Sequence, residues 1–561
     1  MTRRVPLEID GVVRWPDADA AAFRAEGYWA DRSVPEYIAD RVGAQPDSTA
    51  LIDGDCTLTY RQLWDRSSAG AAGLTRLGLR PGDRVVVQLP NGWQFAAFLL
   101  ACMRTRVIPV MAMPAHRRSE LTHLAILSDA RALVVADRDR DTDLRAVAQH
   151  VAADAPSVEF VVLHGELSSG PTGVAEYSLA DCLAAPSGGD PVDGLPLPAG
   201  GDVACLLLSG GTTGLPKLIV RTHDDYAYNI LACNETSEFD SDTVYLGALP
   251  CSHNFALACP GILGTWFAGG VVVLLATPSP RRSLEAIEAH GVTATAAVPA
   301  VAQAWIEYQR EHHVLRANSL RVLQVGGSRI PDELAARVEP VLGARLQQVF
   351  GMAEGLINMT RLDDPADVIE TTQGRPVSVA DEVRVVDERG EDVPEGAPGR
   401  LLTRGPYTPR GYFRAAEHNS RSFTPDGWYG SGDIVVRRPD GNLVVAGRDK
   451  DMINRGGEKI SAEEVENFAY QVPGVEMAAA VAMPDPVLGE RLCLYVTPAS
   501  GADVTLDEII TLMESAGVAH FKIPERLELV AQIPTTKVGK IDKKALRDDI
   551  RARLSRATPG A

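Results

Sequence analysis

The sequence predicts an α/β protein built from more than one domain, on three observations. Between residues 50 and 350, short apolar runs of strand length alternate with helix-like segments, the pattern of largely parallel sheets covered by helices. At 561 residues the chain exceeds what one hydrophobic core usually supports. Further on the pattern changes twice, first to short strands with turn signals and then back to mixed α and β. The expected arrangement is a large N-terminal domain (1–449) of α/β layered subdomains with a small β-rich subdomain. A small α+β C-terminal domain (450–561) completes it.

Taken in order, the apolar run at 84–89 reads as a buried strand ahead of the helical pattern at 93–104. Residues 132–136, 160–163 and 203–208 read as further buried strands, and 270–275 as a strand before the helix-like stretch 283–290. Residues 165–201, rich in Ser, Gly, Pro and Asp, read as a surface excursion. The β-rich part is carried by 383–386, 399–403 and 442–446. Past residue 450, helix-like 462–470 and 506–516 alternate with strand-like 478–482 and 492–496.

Composition excludes several classes. A net charge of -19 argues against non-specific nucleic-acid or anionic-membrane binding. The eight cysteines form no CxxC pair, and several lie in apolar runs, so reduced and mostly buried thiols are expected. The N-terminus lacks the apolar core of a signal peptide, and no apolar run approaches the ~20 residues needed to span a bilayer. A soluble, cytoplasmic protein is the expectation.

Six segments carry chemistry-bearing residues. Ser209-Gly210-Gly211-Thr212-Thr213-Gly214-Leu215-Pro216-Lys217 follows a strand and combines close backbone approach with hydroxyls and a lysine, which suits phosphate. It is not a Walker A loop, because no Gly-Lys-Ser/Thr follows at the required spacing. Gln347-Gln348-Val349-Phe350-Gly351-Met352-Ala353-Glu354 places a carboxylate after an aromatic and a glycine. Tyr429-Gly430-Ser431-Gly432-Asp433 puts an aspartate in a turn, able to accept hydrogen bonds from a ribose diol. Gly447-Arg448-Asp449-Lys450-Asp451 precedes Asn454-Arg455-Gly456-Gly457-Glu458-Lys459, and Pro534-Thr535-Thr536-Lys537-Val538-Gly539-Lys540 ends the series. Each alone reads as readily as a turn or a solvated charged face; their order and distances together do not.

Together these segments resemble the adenylate-forming superfamily of acyl-CoA synthetases, nonribosomal adenylation domains and luciferases, over about residues 28–550. Several stretches are similar to free-standing aryl-acid ligases for 2,3-dihydroxybenzoate or salicylate in siderophore synthesis. These are Leu218-Ile-Val-Arg-Thr-His-Asp-Asp-Tyr, Leu249-Pro-Cys-Ser-His-Asn-Phe, Gln324-Val-Gly-Gly, Phe350-Gly-Met-Ala-Glu-Gly, Thr403-Arg-Gly-Pro-Tyr-Thr and Asp451-Met-Ile-Asn-Arg-Gly-Gly-Glu-Lys. Met452 stands where a glutamine is typical.

The resemblance implies two steps: a carboxylate attacks the α-phosphate of ATP to give acyl-AMP, and a phosphopantetheine thiol then takes the acyl group. Phosphoryl transfer needs charge neutralisation and positioning more than a covalent catalyst. On this reading the loop from Ser209 to Gly214, with Lys217, holds the phosphates, and Glu354 ligates Mg²⁺, which needs few carboxylates. Asp433 holds the ribose hydroxyls with Arg448 assisting. Gly327 lets adenine lie against backbone, flanked by Val349, Phe350, Gly351 and Met352. Lys540 bridges the substrate carboxylate and phosphate oxygens in the first step, with Lys537 its nearest competitor. Lys450 matches the hinge about which a mobile C-terminal domain would rotate, removing Lys540 and bringing in Gly456 and Gly457.

Amino-acid-activating relatives use an aspartate where this chain has His253-Asn254-Phe255, so a neutral amide suits an acid bearing a hydroxyl. Asn254 is expected at an ortho-hydroxyl, with His253 and Phe255 shaping the pocket; a helix cap or core histidine is the competing reading of the pair. Cys259, a weak donor where dihydroxybenzoate-type relatives have serine, favours salicylate, because an unpaired buried hydroxyl costs ~1–3 kcal/mol. Gly326, Leu356 and Ile357 are expected on the remaining wall. The chain ends 21 residues after Lys540, so the expected acceptor is a separate phosphopantetheinylated aryl carrier protein, docked in part by the basic segment 537–556. Methylsalicylate or dihydroxybenzoate as the acid, free CoA as the acceptor, and a catalytically silent homologue are the alternatives.

Overall fold

The computed structural model describes residues 4–167, 173–184, 197–209, 216–316, 319–448, 451–455, 458–485, 488–516, 518, 520–536 and 540–557. The apolar runs become the inner strands of two large sheets. A seven-stranded sheet orders Leu218–Thr222, Val203–Leu208, Ile108–Met111, Arg84–Gln88, Ala132–Ala136, Phe160–His164 and Ala175–Ser178. All its pairings are parallel except the first. A nine-stranded sheet has a parallel centre running from Arg345–Gly351 through Val322–Gly326, Ala294–Ala297, Val244–Gly247 and Val271–Leu274 to Thr49–Asp53.

Helices fill the space between these sheets. In Trp93–Thr105 every residue from Phe95 to Met103 is buried, because a helix covered on all sides must be apolar all round. One apolar cluster joins Val85 and Val87 of the first sheet to Leu51 and Val272 of the second through Phe98 and Trp266.

The segment 165–201 departs from its reading as a plain surface excursion. Ala175–Ser178 is an edge strand of the seven-stranded sheet, and the helix Leu179–Leu183 buries Leu179, Cys182 and Leu183. Polar composition averaged over the whole segment hid this short apolar i,i+4 pair.

The β-rich part is an antiparallel four-stranded sheet, Glu382–Val386, Pro398–Arg404, Tyr429–Arg437 and Leu443–Arg448, with its own core of Leu401, Val435 and Leu443. The small C-terminal domain centres on the long pair Val475–Asp485 and Gly489–Pro498. Strand alternation divides it cleanly. Ala478, Ala480 and Leu494 face a cluster with Val465 and Ile509, while Ala479, Val481 and Tyr495 face Leu546 and Ile550 of the last helix.

One buried ion pair ties the first sheet to the loop system above it. Arg221 lies on Leu218–Thr222, and Asp225 in the first turn of the helix His223–Ser237, where it also completes a capping box with Thr222. Both side chains are wholly buried, and Arg221 Nε donates to Asp225 at 2.6 Å. Arg221 Nη1 also donates to the carbonyl of Ala353 at 3.0 Å. Removing one partner of such a pair strands the other charge in the core. Asp225→Ala is therefore expected to lower unfolding free energy by about 3 kcal/mol in urea titration; a loss below about 1 kcal/mol would show that Arg221 is compensated otherwise.

Candidate active site

In open α/β sheets, ligands gather at the carboxyl ends of parallel strands, where the loops leave. Here Gly326 and Val349 are register partners at those ends. Above them lies a cleft of ≈ 500 Å³, sized for a small molecule. Gly327 and the stretch from Val349 to Met352 line one wall, Asp433 and Arg448 a second, and Lys540 the side formed by the C-terminal domain.

Asp433 and Arg448 face each other across adjacent antiparallel strands, and Arg448 Nε donates to Asp433 Oδ1 at 2.9 Å. The aspartate raises the pKa of the guanidinium.

Glu354 is buried at the end of a tight turn closed by Gly355, whose φ is +138°. A side chain at position 355 would begin 2.6 Å from Thr408 Oγ1, so only glycine fits. Tyr412 donates to Glu354 Oε1 at 2.9 Å, and Tyr429 lies 3.1 Å from the Tyr412 hydroxyl. Burial raises the carboxyl's pKa, while the Tyr412 hydrogen bond and then the charges of Lys217 and Arg448 oppose the rise. Lys217 Nζ stands 5.0 Å from the centre of the Tyr412 ring.

The Ser209–Lys217 segment is clasped at its base. Ser209 N–H donates to Lys217 O, and Lys217 N–H donates to Ser209 Oγ, both at 3.0 Å. Gly210, Gly211, Thr212, Thr213 and Gly214 lie outside the described residues, as do Lys450, Gly456, Gly457 and Lys537.

The second group of expected residues lies beside the cleft rather than on its lining. His253 caps the short helix Asn254–Ala258, its Nδ1 accepting from Phe255 N–H at 3.2 Å. The cap reading of this histidine is thus realised, and it leaves Nε2 carrying the proton of the neutral ring. The imidazole is nonetheless solvent-exposed. Desolvation by neighbouring protein, then the charge of Lys540, lowers its pKa. Lys540 also reaches Gly327, its Cε 3.9 Å from where a side chain there would begin. Thr536 steadies it by accepting from the Lys540 N–H at 3.2 Å.

Asn254 and Cys259 are nearly closed off: Asn254 Nδ2 donates to Cys259 Sγ at 3.3 Å, and Tyr226 donates to Asn254 Oδ1 at 2.8 Å. The Cys259 sulfur is therefore an acceptor already in use, not a bare apolar surface. Phe255 packs on Gly326, where any side chain would begin 3.1 Å from the ring and 2.7 Å from Val349 O.

The two remaining expected wall residues are both wholly buried. Leu356 is wholly buried with Val385, Leu401 and Val435 under the four-stranded sheet, and Ile357 is wholly buried in the core between the large sheets. Successive residues of an extended segment face opposite sides, and both sides here are protein. The basic segment is also less bare than its sequence implies. Lys543 pairs with Glu466, Arg547 with Asp451, and Arg553 with Glu528 and Asp549, while Arg455 pairs with Glu525.

Sequence reading assigned no role to Arg221, Tyr226, Tyr412 or Tyr429. Arg221 and Asp225 had a signal, a lone charge in an apolar strand with its opposite four residues on. The tyrosines had none, since Tyr412 and Tyr429 meet Glu354 only through the fold.

The donor set fits a hard divalent cation that keeps most of its waters. Glu354 supplies one carboxylate, and no cluster of three metal-ligating side chains occurs among the described residues. No helix among them is long and apolar enough to cross a membrane.

The chain matches the model of the AMP-binding enzyme over residues 38–413 and that of the AMP-binding enzyme C-terminal domain over 464–540. It is 53% identical to a Streptomyces protein named salicylyl-CoA synthase / salicylate adenylyltransferase, covering 97% of this chain and 98% of that one. It is 47% identical to a Mycobacterium tuberculosis protein named salicyl-AMP ligase / salicyl-S-ArCP synthetase, covering 96% and 94%. The apo structure of Mycobacterium smegmatis MbtA superposes with a TM-score of 0.73 at 46% identity, covering 96% of this chain and 98% of that one. A cleft of ≈ 500 Å³ faced by Asp433 and Lys540, with the buried Glu354 nearby in the chain, thus coincides with whole-length similarity, and the chain belongs to the AMP-binding enzyme family.

Proposed function

We propose that this protein is an aryl-acid adenylating ligase that activates salicylate with ATP and passes the acyl group to the phosphopantetheine thiol of a separate aryl carrier protein. The observation that supports the reading is Lys540 reaching Gly327 on the cleft wall while its charge acts on His253, so that one cation lies toward both the cleft and the residues assigned to the acid pocket.

In the first step a carboxylate oxygen forms a bond to the α-phosphorus and the bond to pyrophosphate breaks. Lys540 neutralises charge on both sides of the forming bond. His253, neutral at physiological pH, adds a donor without adding a competing charge. Asp433 and Arg448 orient the ribose, and Lys217 with the Ser209–Gly214 segment grips the phosphates. Glu354 would hold Mg²⁺, which supplies charge neutralisation at the phosphate oxygens. A boundary at 449/450 with Lys450 as hinge would let the C-terminal domain rotate afterwards, withdrawing Lys540 before the thiol enters.

Salicylate is favoured over 2,3-dihydroxybenzoate because Cys259 offers a second ring hydroxyl only a weak partner. The name of the Streptomyces relative supports a second reading of the acceptor, in which free CoA takes the acyl group. Thioester formation on holo-carrier and on CoA, measured side by side, decides between them; exclusive reaction with CoA would remove the carrier reading.

Lys540→Ala is expected to lower salicylate-dependent ATP–pyrophosphate exchange by about 10²–10³-fold while leaving ATP binding within a few-fold. Exchange retained near the wild-type rate would refute its role. Cys259→Ser should move the kcat/KM ratio toward 2,3-dihydroxybenzoate by about 5–10-fold, and an unchanged ratio would remove the argument for salicylate.

A further inference from the structure

Tyr226, wholly buried on the helix His223–Ser237, donates its hydroxyl to Asn254 Oδ1 at 2.8 Å. That hydroxyl has no acceptor other than Asn254 Oδ1 among the described residues, so the opposite amide orientation would leave its hydrogen unpaired. The amide oxygen is thereby satisfied from within the protein, and the amide nitrogen is the end left for the pocket. That nitrogen carries two hydrogens. One goes to Cys259 Sγ at 3.3 Å, and no second protein acceptor for it is found among the described residues. His253 repeats the arrangement: its Nδ1 is taken by Phe255 N–H, so its remaining nitrogen is also a donor.

We propose that Tyr226 is the positioning residue that sets the ortho specificity of the acid pocket. By holding the Asn254 amide oxygen-inward, it makes that amide present a donor and not an acceptor to the ortho group. The pocket then takes aryl acids whose ortho group accepts a hydrogen bond and turns away those whose ortho group donates one.

The chemistry of the two ligand classes differs in the required sense. In salicylate the phenol hydrogen turns inward to the neighbouring carboxylate, leaving oxygen lone pairs outward for the Asn254 N–H. In 2-aminobenzoate the nitrogen lone pair is delocalised into the ring and an N–H points outward, so donor meets donor. An amide free to flip would accommodate both, as a buried unpaired group is what discriminates in such sites.

The hydroxyl is itself held in place. The Arg221 guanidinium lies 4.8 Å from the centre of the Tyr226 ring, and the same side chain is fixed by Asp225 and by the carbonyl of Ala353 next to Glu354. One buried arginine therefore positions both the carboxylate assigned to the metal and the ring that orients the acid-binding amide.

This inference rests on the aryl-acid reading above, and exchange assays with salicylate and 2-aminobenzoate separate the two. Wild-type enzyme is expected to prefer salicylate by at least about tenfold in kcat/KM, the worth of one well-placed buried hydrogen bond. Tyr226→Phe keeps the ring and its contact with Arg221 and removes only the hydroxyl. It should raise the KM for salicylate about tenfold, leave kcat and the KM for ATP within about twofold, and shrink the preference over 2-aminobenzoate about tenfold. Equal loss for both acids, as from a merely structural role, would overturn the assignment, and so would an unchanged ratio. Parity of the two acids in the wild type would overturn it without recourse to any variant. Absence of aryl-acid-dependent exchange in the wild type would instead remove the functional reading itself.

Discussion

The buried guanidinium of Arg221 is the constraint around which the site is arranged. A charge removed from water is costly unless it is paired and hydrogen-bonded on most sides. Asp225 supplies the counter-charge, Ala353 a carbonyl and Tyr226 a ring face, while Nη2 is left without a hydrogen-bond partner. Asp225 and Tyr226 come from the helix that directly follows the strand of Arg221, whereas Ala353 lies in a turn 132 residues away. Satisfying one arginine therefore ties a strand–helix unit to a distant turn, and both carry groups next to those proposed to meet the acid and the metal.

The carboxylate at 354 shows how such a site stays usable. Burial favours its neutral form, yet holding a cation requires it ionised. Tyr412, Lys217 and Arg448 oppose the burial effect, and a bound divalent cation would act in the same direction. His253 shows the converse, for crowding and the approach of Lys540 both keep it neutral.

Much of the fold could be read beforehand. Parallel strands buried on both faces appear as continuous apolar runs, so 84–88, 132–136 and 203–208 were visible without any tertiary information. The edge strand Ala175–Ser178 and the helix after it were not, because an edge element is half polar and borrows its stability from neighbours. Among site residues, Asp433, Arg448, Glu354 and Lys540 stood out as charges near glycines, although Asp433 sits within a strand paired to that of Arg448 and not in the turn expected of it.

By itself the sequence determined the α/β class, the order of its parts, the glycine-rich and charged segments, and the neutral amide at 254. Those features are local: strand burial, turn geometry and side-chain charge are written within a few residues of one another. Only the tertiary structure decided that Tyr226 donates to Asn254, that Tyr412 donates to Glu354, and that Lys540 stands over Gly327. Each of these joins segments tens to hundreds of residues apart. A hydrogen bond between such distant groups is selected by the packing of whole sheets and domains, which no local pattern of residues encodes.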